Sequence, residues 1–429
     1  MLFKFKQLVT KIKNSNNGKI IAENFLYLSL LQVASYVFPL ITMPYLAKVI
    51  GVDGFGKIAF ASAIMVWIQT IADWGFNYTA TREVAKNRED NDSVSDIFSR
   101  VLWARCFLMI LSFVLLCILI FAIPQFKENA VVLLMTFLMI PGHIMFPDWF
   151  FQAMEKMKYI TILNLASKLL FTILVFIFIK NKEDYILQPL FISLGYVLAG
   201  IIAMYYILQK WKVRLKIVSL KSILRTIKSS TDIFINNLLP NLYASLATVL
   251  LGVFHGNTAN GIFDAGTKFM YVAQQLLGCV TRAFFPFLSR NINKHHIYAK
   301  ASISLSLGMS FMLFIFAPLL IKLFFPPEFY SAINVLRILS FVLIFITIDS
   351  AYGVNYLIVR GFDKQRRTIC LICSVIGSII AVVLVYYYSY IGKAVSLVVA
   401  NALLGVVSMI YAVHIKNISF RNKEYVKHK

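Results

Sequence analysis

The sequence predicts an all-α membrane protein whose twelve transmembrane helices form two six-helix bundles related as parallel repeats. Three observations carry that prediction. Of 429 residues, 59% are hydrophobic and 14% charged, whereas soluble domains are about a quarter charged. Apolar runs of about 20 residues, enough to cross a hydrocarbon core of roughly 30 Å, recur along the whole chain. Short landmarks also repeat in the same order in the two halves.

At the start, MLFKFKQLVTKIKN places Phe5, Leu8, Val9 and Ile12 at helical spacing among lysines. Residues 1–21 therefore suit a basic amphipathic helix at an anionic membrane surface, with a disordered basic tail as the alternative. This start leads into a long span without a small-residue cleavage site, so no cleaved signal is expected. Spans follow at 22–47, 55–80, 99–123, 128–150, 158–179 and 186–209, making an N-terminal bundle over 22–209. The basic linker 210–231 puts Leu220, Ile223, Leu224 and Ile227 on one stripe, which predicts an in-plane surface helix. The C-terminal bundle, 232–414, comprises 232–254, 262–288, 300–324, 332–357, 367–388 and 391–414, and a basic tail covers 415–429. Backbone in lipid must satisfy its own hydrogen bonds, so these runs are helices.

The net charge of +23 is not spread as a nucleic-acid-binding surface would be. About 30 Lys and Arg fall on the termini and even-numbered loops and roughly 7 on the odd-numbered ones, which puts both termini in the cytoplasm. Anionic membrane lipids account for the basic face. No nucleic acid partner is expected.

The repeat shows in QAMEKMK, Gln152 to Lys158, and RGFDKQR, Arg360 to Arg366, which lie 208 positions apart and each close a span on the cytoplasmic side. At the same offset Arg82 meets Arg290 and Lys86 meets Lys294, while Gly51 and Gly56 of GVDGFG match Gly256 and Gly261 of GNTANG at 205. Shared order and side point to duplication. Six spans is an even number, so both halves enter from the cytoplasm, as in transporters that rock about a site between parallel repeats.

Enzyme chemistry finds little support. Gly51, Gly56 and Lys57 imitate a P-loop, yet Ile58 replaces the Ser or Thr that would hold magnesium and no strand precedes the segment. The six histidines lack metal-ligand spacing. Cys370 and Cys373 sit in an apolar helix without a second pair, so neither a metal nor another cofactor is expected. His143, in PGHIMFPDW, reads as a neutral histidine beside a helix kink, with proton relay as the alternative. The outer loops are short for a polymerase or transferase.

Ionisable residues within spans normally face a protein interior or a wet cavity. Span 8 aligns Asp264, Lys268, Tyr271, Gln275, Gly278 and Arg282 on one face. Span 2 offers Gln69, Asp73 and Asn77, span 7 Asn237 and Asn241, and span 5 Asn164 with Lys168 near the midplane. Arg105 and Arg337 lie within about two turns of a boundary, where long side chains can snorkel. The alternative to a cavity is internal pairing: Asp264 with Lys268, and Asp73 with Lys168 or Arg105. A cavity holding Lys168, Lys268 and Arg282 would suit a substrate bearing phosphate and sugar hydroxyls.

The stretches GVDGFGKIAFA, IADWGFNYTATREVAKNRED, PDWFFQAMEKMKYITILNLASK and FDAGTKFMYVAQQLLGCVTRAFFPFLSR resemble the Wzx or O-antigen transporter family of bacterial polysaccharide-repeat flippases. That family lies within the multidrug, oligosaccharidyl-lipid and polysaccharide exporter superfamily. The resemblance covers nearly the whole chain. It implies a V of two bundles in a bacterial inner membrane, working by alternating access to move an undecaprenyl-pyrophosphate-linked oligosaccharide to the periplasmic leaflet. It further implies Lys168, Lys268 and Arg282 as pyrophosphate contacts, with Arg105 and Arg337 as further cations, and Asp73 or Asp264 titrating in ion coupling. Gln69, Asn77, Asn164, Asn237, Asn241, Tyr271 and Gln275 would line the cavity. A polysaccharide polymerase and a chain-length regulator are candidate partners. An ion-coupled multidrug exporter is the alternative function, and a membrane polymerase or transferase a further one. Flippases of peptidoglycan precursors carry arginines in their first helix, whereas span 1 here has Glu23, Asn24, Gln32 and Ser35.

Overall fold

Gly51 and Gly256 decide how the longest helices are divided. The computed structural model describes the backbone of residues 16–427, and among these residues there is no strand. Residues 1–15 of the expected surface helix, residues 428–429, and the side chains of the tail from residue 416 onward and of Asn237 and Asn241 lie outside the described residues. Eight helical stretches are long and apolar enough to cross a membrane among the residues described. Leu30–Lys86 and Asp363–Ile415 contain 57 and 53 residues, about 80 Å as straight helices, which is far more than one crossing needs.

Breaks resolve that excess. Helix α1, Asn16–Asp73, leaves helical geometry at Gly51 (φ 69°, ψ −179°). A second break, at Trp74 (φ 41°) and Gly75 (φ 80°), separates it from α2, Phe76–Lys86. In the 71-residue helix Leu220–Arg290 the break is at Gly256 (φ 78°, ψ −177°), and in Asp363–Lys427 it is at Ser389 (φ 53°). Glycine meets no Cβ penalty in such a conformation. These interruptions divide each of the three longest helices, among the described residues, into segments nearer the length of one crossing.

The chain separates into two compact units. The first is Met1–Ile50 with Met65–Asn237. After α2 it contains α3 (Asn91–Ala122), α4 (Pro124–Glu128), α5 (Ala130–Phe137), α6 (Met139–Met145), α7 (Asp148–Ala153), α8 (Met157–Phe178) and α9 (Leu187–Tyr205). Its core is aromatic: Phe98, Trp149, Phe150 and Phe151 are buried, and Trp211 packs against Phe150 and Phe151 at 5.5 and 5.4 Å between ring centroids. Residues 212–219 cross α3 as irregular chain. Serines one turn apart hold them: Arg214 N–H donates to Ser95 Oγ at 3.0 Å and Lys216 N–H to Ser99 Oγ at 2.9 Å. Trp103 Nε1 donates to the Lys216 carbonyl at 3.0 Å.

The linker corrects one expectation. A helix does begin at Leu220, but no break separates it from the next span before Gly256, so it is the first part of α10, Leu220–Arg290, rather than a separate surface helix. Its start is fastened within the first unit by Thr79 and Ser230, whose hydroxyls lie 2.8 Å apart, and by Trp74 stacked on Phe234 at 3.8 Å.

The second unit is Leu238–Lys429 together with Gly51–Ile64. Its helices are the remainder of α10, α11 (His295–Phe324), α12 (Ala332–Ser340), α13 (Val342–Asp349), a π-helical stretch Ser350–Ile358 and α14 (Asp363–Lys427). Residues 51–64 pack here because Gly56 and Gly261 let two backbones touch. A Cβ on Gly56 would overlap the Asn257 carbonyl and one on Gly261 the Val52 carbonyl, a reciprocal contact one residue after each broken glycine. Phe55 adds edge-on contacts with Phe325 and Phe329 at 6.1 and 5.6 Å.

Backbone hydrogen bonds relate the halves more accurately than side-chain identity does. Lys156 N–H reaches the Phe151 carbonyl past left-handed Glu155 (φ 56°), and Phe362 N–H reaches the Leu357 carbonyl past left-handed Gly361 (φ 82°), both at 2.9 Å. These are matching Schellman caps. They equate Glu155 with Gly361 at an offset of 206 rather than 208. Asn87 and Asn291 end their helices alike, each bonding carbonyls three and four residues back, at an offset of 204. Arg82 and Lys86 therefore do not correspond to Arg290 and Lys294. Gly51 and Gly256 do correspond, at 205.

Candidate functional site: buried charge in the spans

Asp73 is the last residue of α1, directly before the Trp74 and Gly75 break. A left-handed Trp is disfavoured by roughly 1–2 kcal/mol, and strain of this kind gathers at functional sites. Arg105, from α3, donates Nη2 to Asp73 Oδ1 and is 1% exposed. His143 Nε2, from α6, lies 3.0 Å from Asp73 Oδ1 and 3.3 Å from Oδ2. Gln69 Nε2, one turn before Asp73, lies 3.3 Å from the same imidazole nitrogen. Three helices thus converge on one carboxylate.

The other face of Asp73 borders a cavity of about 660 Å³ within the first unit, lined also by Asn77, Thr81, Arg82, Asp148 and Gln152. Of the expected span 2 residues, Asp73 and Asn77 face this space and Gln69 turns to His143. Of the alternatives open for Arg105, pairing with Asp73 is what the geometry shows: its guanidinium is buried against that carboxylate rather than snorkelling to headgroups or facing the cavity as a free cation. Lys168, on α8, is half-buried and no carboxylate pairs with it among the described residues. Asn164, one turn earlier, gives its side-chain amide to the Ile160 carbonyl at 2.9 Å.

In the second unit, Lys268 pairs with Asp264 at 2.6 Å and stands 5.5 Å from the Phe55 ring centroid. Of the two alternatives open for this residue, internal pairing is what the geometry shows. Arg282 is exposed, as is Tyr271, while Gln275 is half-buried. Lys268 and Arg282 lie 14 residues apart on one helix, about 21 Å, so one pyrophosphate cannot span both. Arg337 lays its guanidinium 5.5 Å from the Phe314 ring centroid.

Two buried charged groups were not foreseen. Asp349 accepts from Arg366 Nη2 at 2.6 Å and from Ser408 Oγ at 2.9 Å, joining α13 to α14. Arg366 is the final residue of RGFDKQR, so the island supplies a buried partner as well as a loop. Lys393 is 1% exposed, donates to Thr248 Oγ1 at 2.8 Å and lies 3.6 Å from the Phe263 ring centroid. An ionisable residue inside an apolar run was the available signal for Asp349 and Lys393 alike. Outside the spans, Arg88 lies 3.0 Å from Glu155 and its hydrogen bond holds that carboxyl below the usual glutamate range. Among the described residues no cluster of His, Cys, Asp and Glu could hold a metal.

Comparison with known proteins gives this buried charge a context. Two relatives named O-antigen transporters are similar over most of their length. The Escherichia coli K12 protein is 27% identical over 91% of this chain and 96% of its own, and the Shigella dysenteriae protein is 26% identical over 89% and 97%. Among solved structures, the lipid II flippase MurJ in an inward closed conformation has a TM-score of 0.72 at 16% identity, covering 91% of this chain and 87% of its own. An outward-facing MATE family multidrug resistance transporter of the MOP superfamily has a TM-score of 0.59 at 14% identity, covering 97% and 98%. Both share the fold. The profile of the family described as polysaccharide biosynthesis protein matches residues 21–292, more than half of the chain. This all-helical, multi-pass membrane protein therefore belongs to the polysaccharide biosynthesis protein family, in agreement with the Wzx-type resemblance carried by its sequence.

Proposed function

We propose that this protein is a flippase that moves an undecaprenyl-pyrophosphate-linked oligosaccharide repeat unit from the cytoplasmic to the periplasmic leaflet of a bacterial inner membrane. Both termini lie in the cytoplasm, and no bond of the substrate is made or broken. The observation that carries the reading is charge buried in spans of a chain similar, over about nine-tenths of its length, to O-antigen transporters. A charge inside a span is disfavoured by about 3 kcal/mol or more, so it is retained where it acts on a ligand or an ion.

Lys168 is the pyrophosphate contact best supported, since it is half-buried and no carboxylate neutralises it among the described residues. Lys268 and Arg282 act on other parts of the path: Lys268 shares its charge with Asp264, and Arg282 is open. Coupling to an ion gradient runs through a carboxylate in a span, with Asp73 in the first unit and Asp264 in the second. Asn77 and Gln152, beside Asp73, offer amides to sugar hydroxyls.

Deleting the gene tests the reading. Lipid-linked repeat units accumulate in the cytoplasmic leaflet and surface polysaccharide is lost if it is right. Drug sensitivity without that accumulation identifies a multidrug exporter, and chemical alteration of the lipid-linked substrate by protein in liposomes identifies an enzyme. Lys168→Gln is expected to reduce flipping at least about tenfold, the equivalent of one lost charge-assisted contact, with folding retained.

A further inference from the structure

Between the end of α10 and the start of α11 the second unit holds a cavity of about 430 Å³ that the proposed transport path does not use. Its walls are apolar along their length: Val280, Phe284 and Phe287 from α10 face Ile297, Ala301 and Leu305 from α11. One end is marked by a cation. Lys294 borders the cavity directly before α11, with Nζ 5.9 Å from the Phe287 ring centroid, and no carboxylate pairs with it among the described residues.

Three observations say what this space fits. Lys294 and Leu305 are 11 residues apart, about 16 Å along a helix, which is the depth of one leaflet of a hydrocarbon core roughly 30 Å thick. A groove of that length with a cation at one end has the outline of an acyl chain beneath its phosphate. The span that contains α11 is also the least buried of the eight apolar stretches, at 17%, and Ile297 and Leu305 are exposed on it; a broad apolar face of this kind meets lipid. Finally, Tyr298 borders the cavity one turn deeper than Lys294, and its hydroxyl is buried without a partner. Buried hydroxyls are normally bonded. A diacyl lipid carries ester carbonyls just below its phosphate, whereas an isoprenoid chain offers no acceptor there.

We propose that this groove binds an anionic glycerophospholipid of the surrounding leaflet, with its phosphate on Lys294, an ester carbonyl accepting from Tyr298 Oη, and one acyl chain along Ile297, Ala301 and Leu305. Under the proposed topology that leaflet is the cytoplasmic one. The lipid is a resident of the fold rather than cargo, so the site stands whichever substrate the protein moves. An acyl chain gains little by leaving lipid for an apolar groove, because lipid tails are as apolar as the wall. Affinity therefore comes from the cation and the hydroxyl, and Arg290, the last residue of α10, adds positive charge at the same end. Val280 and Phe284 flank Arg282 in the sequence of α10, so occupancy bears on the helix that also carries Asp264 and Lys268.

The test is photo-crosslinking of the full chain in phosphatidylcholine nanodiscs containing a little phosphatidylglycerol with a diazirine on one acyl chain, the adducts being mapped by peptide mass spectrometry. Adducts are expected to concentrate within residues 280–305, and unlabelled phosphatidylglycerol should compete where phosphatidylcholine and undecaprenyl phosphate do not. Relative to adducts elsewhere on the chain, Lys294→Gln should lower that yield about fivefold, the worth of one cation at a headgroup, and Tyr298→Phe about threefold. Ala301→Trp, at an exposed position on the cavity wall, should abolish it. Lys300→Gln, an exposed cation of α11 outside the cavity wall, is the control and should change it by less than about twofold. A yield no higher than on the lipid-facing side of α3 overturns the proposal, as does equal loss in Lys294→Gln and Lys300→Gln, or competition by undecaprenyl phosphate as strong as by phosphatidylglycerol. If Ala301→Trp does not fold, the two lysine variants decide. Gene deletion that leaves surface polysaccharide intact removes the flippase reading without touching the lipid groove.

Discussion

Replacing Gly56 by alanine exchanges one hydrogen for a methyl group where two backbones already touch. The new methyl group would lie 2.9 Å from the Gly261 nitrogen and overlap the Asn257 carbonyl, neither of which can rotate aside. The Asn257 carbonyl oxygen is only 1.7 Å from the added Cβ, so restoring ordinary contact of 3.4–4 Å requires the 51–64 segment to shift by about 1.7 Å or more. Overpacking of this kind costs about 1–3 kcal/mol, offset by about 1 kcal/mol of improved helix propensity. The net expectation is a loss of up to about 2 kcal/mol. Gly308→Ala is the matched control, because nothing lies within 4 Å of its added Cβ inside α11. Thermal unfolding of the two variants in one detergent compares them, with a lower midpoint expected for Gly56→Ala and an unchanged or raised one for Gly308→Ala. Gly261→Ala should resemble Gly56→Ala, since its methyl overlaps the Val52 carbonyl. Equal midpoints for Gly56→Ala and the control would refute the reasoning.

Arg366→Gln leaves Asp349 buried without its cation and is expected to destabilise by about 3–5 kcal/mol; adding Asp349→Asn should restore part of the folded yield, measured by detergent-solubilised monomer. Ser99→Ala removes the acceptor for Lys216 N–H and should loosen residues 212–219 by about 1–2 kcal/mol, read as faster amide exchange at Lys216 with slow exchange in α3 unchanged. Glu155, held below the usual glutamate range by Arg88, contributes its stabilisation above the ordinary glutamate pKa and loses it as pH falls through its own lower one. Amide protection at residues 154–157, after correction for the intrinsic pH dependence of exchange, should therefore fall on acidification below about pH 4.5, and Glu155→Gln should make it low and nearly pH-independent.

Hydropathy made the spans legible because lipid imposes helical hydrogen bonding on any long apolar run. Gly51 and Gly256 were legible as counterparts because one unusual backbone conformation demands one residue type. The offset of 208 misled for a physical reason: the left-handed cap is filled by Glu155 in one half and Gly361 in the other, while nearby basic residues repeat because cytoplasmic ends attract them. The joining of the linker helix to span 7 has no marker in the sequence, because no Gly or Pro lies between Leu220 and Leu239 to separate the two. Arg105 was an open alternative as the partner of Asp73, but the approach of His143 depends on α6 meeting α1 and cannot be read from spacing. Asp349 and Arg366 are 17 residues apart on different elements, so helical periodicity does not connect them.

Residues 51–64 have a history set by the order of synthesis. They emerge among the first spans, yet the backbone they fit, near residues 257–261, is made about 200 residues later. A ribosome adding about 5–20 residues each second leaves them without that contact for 10 seconds or more. During this interval the small-residue face around Gly56 is open to other helices, while the bulk of the first unit can already assemble. Substitutions that enlarge that face would thus lower the amount of protein produced before they alter what the finished molecule does.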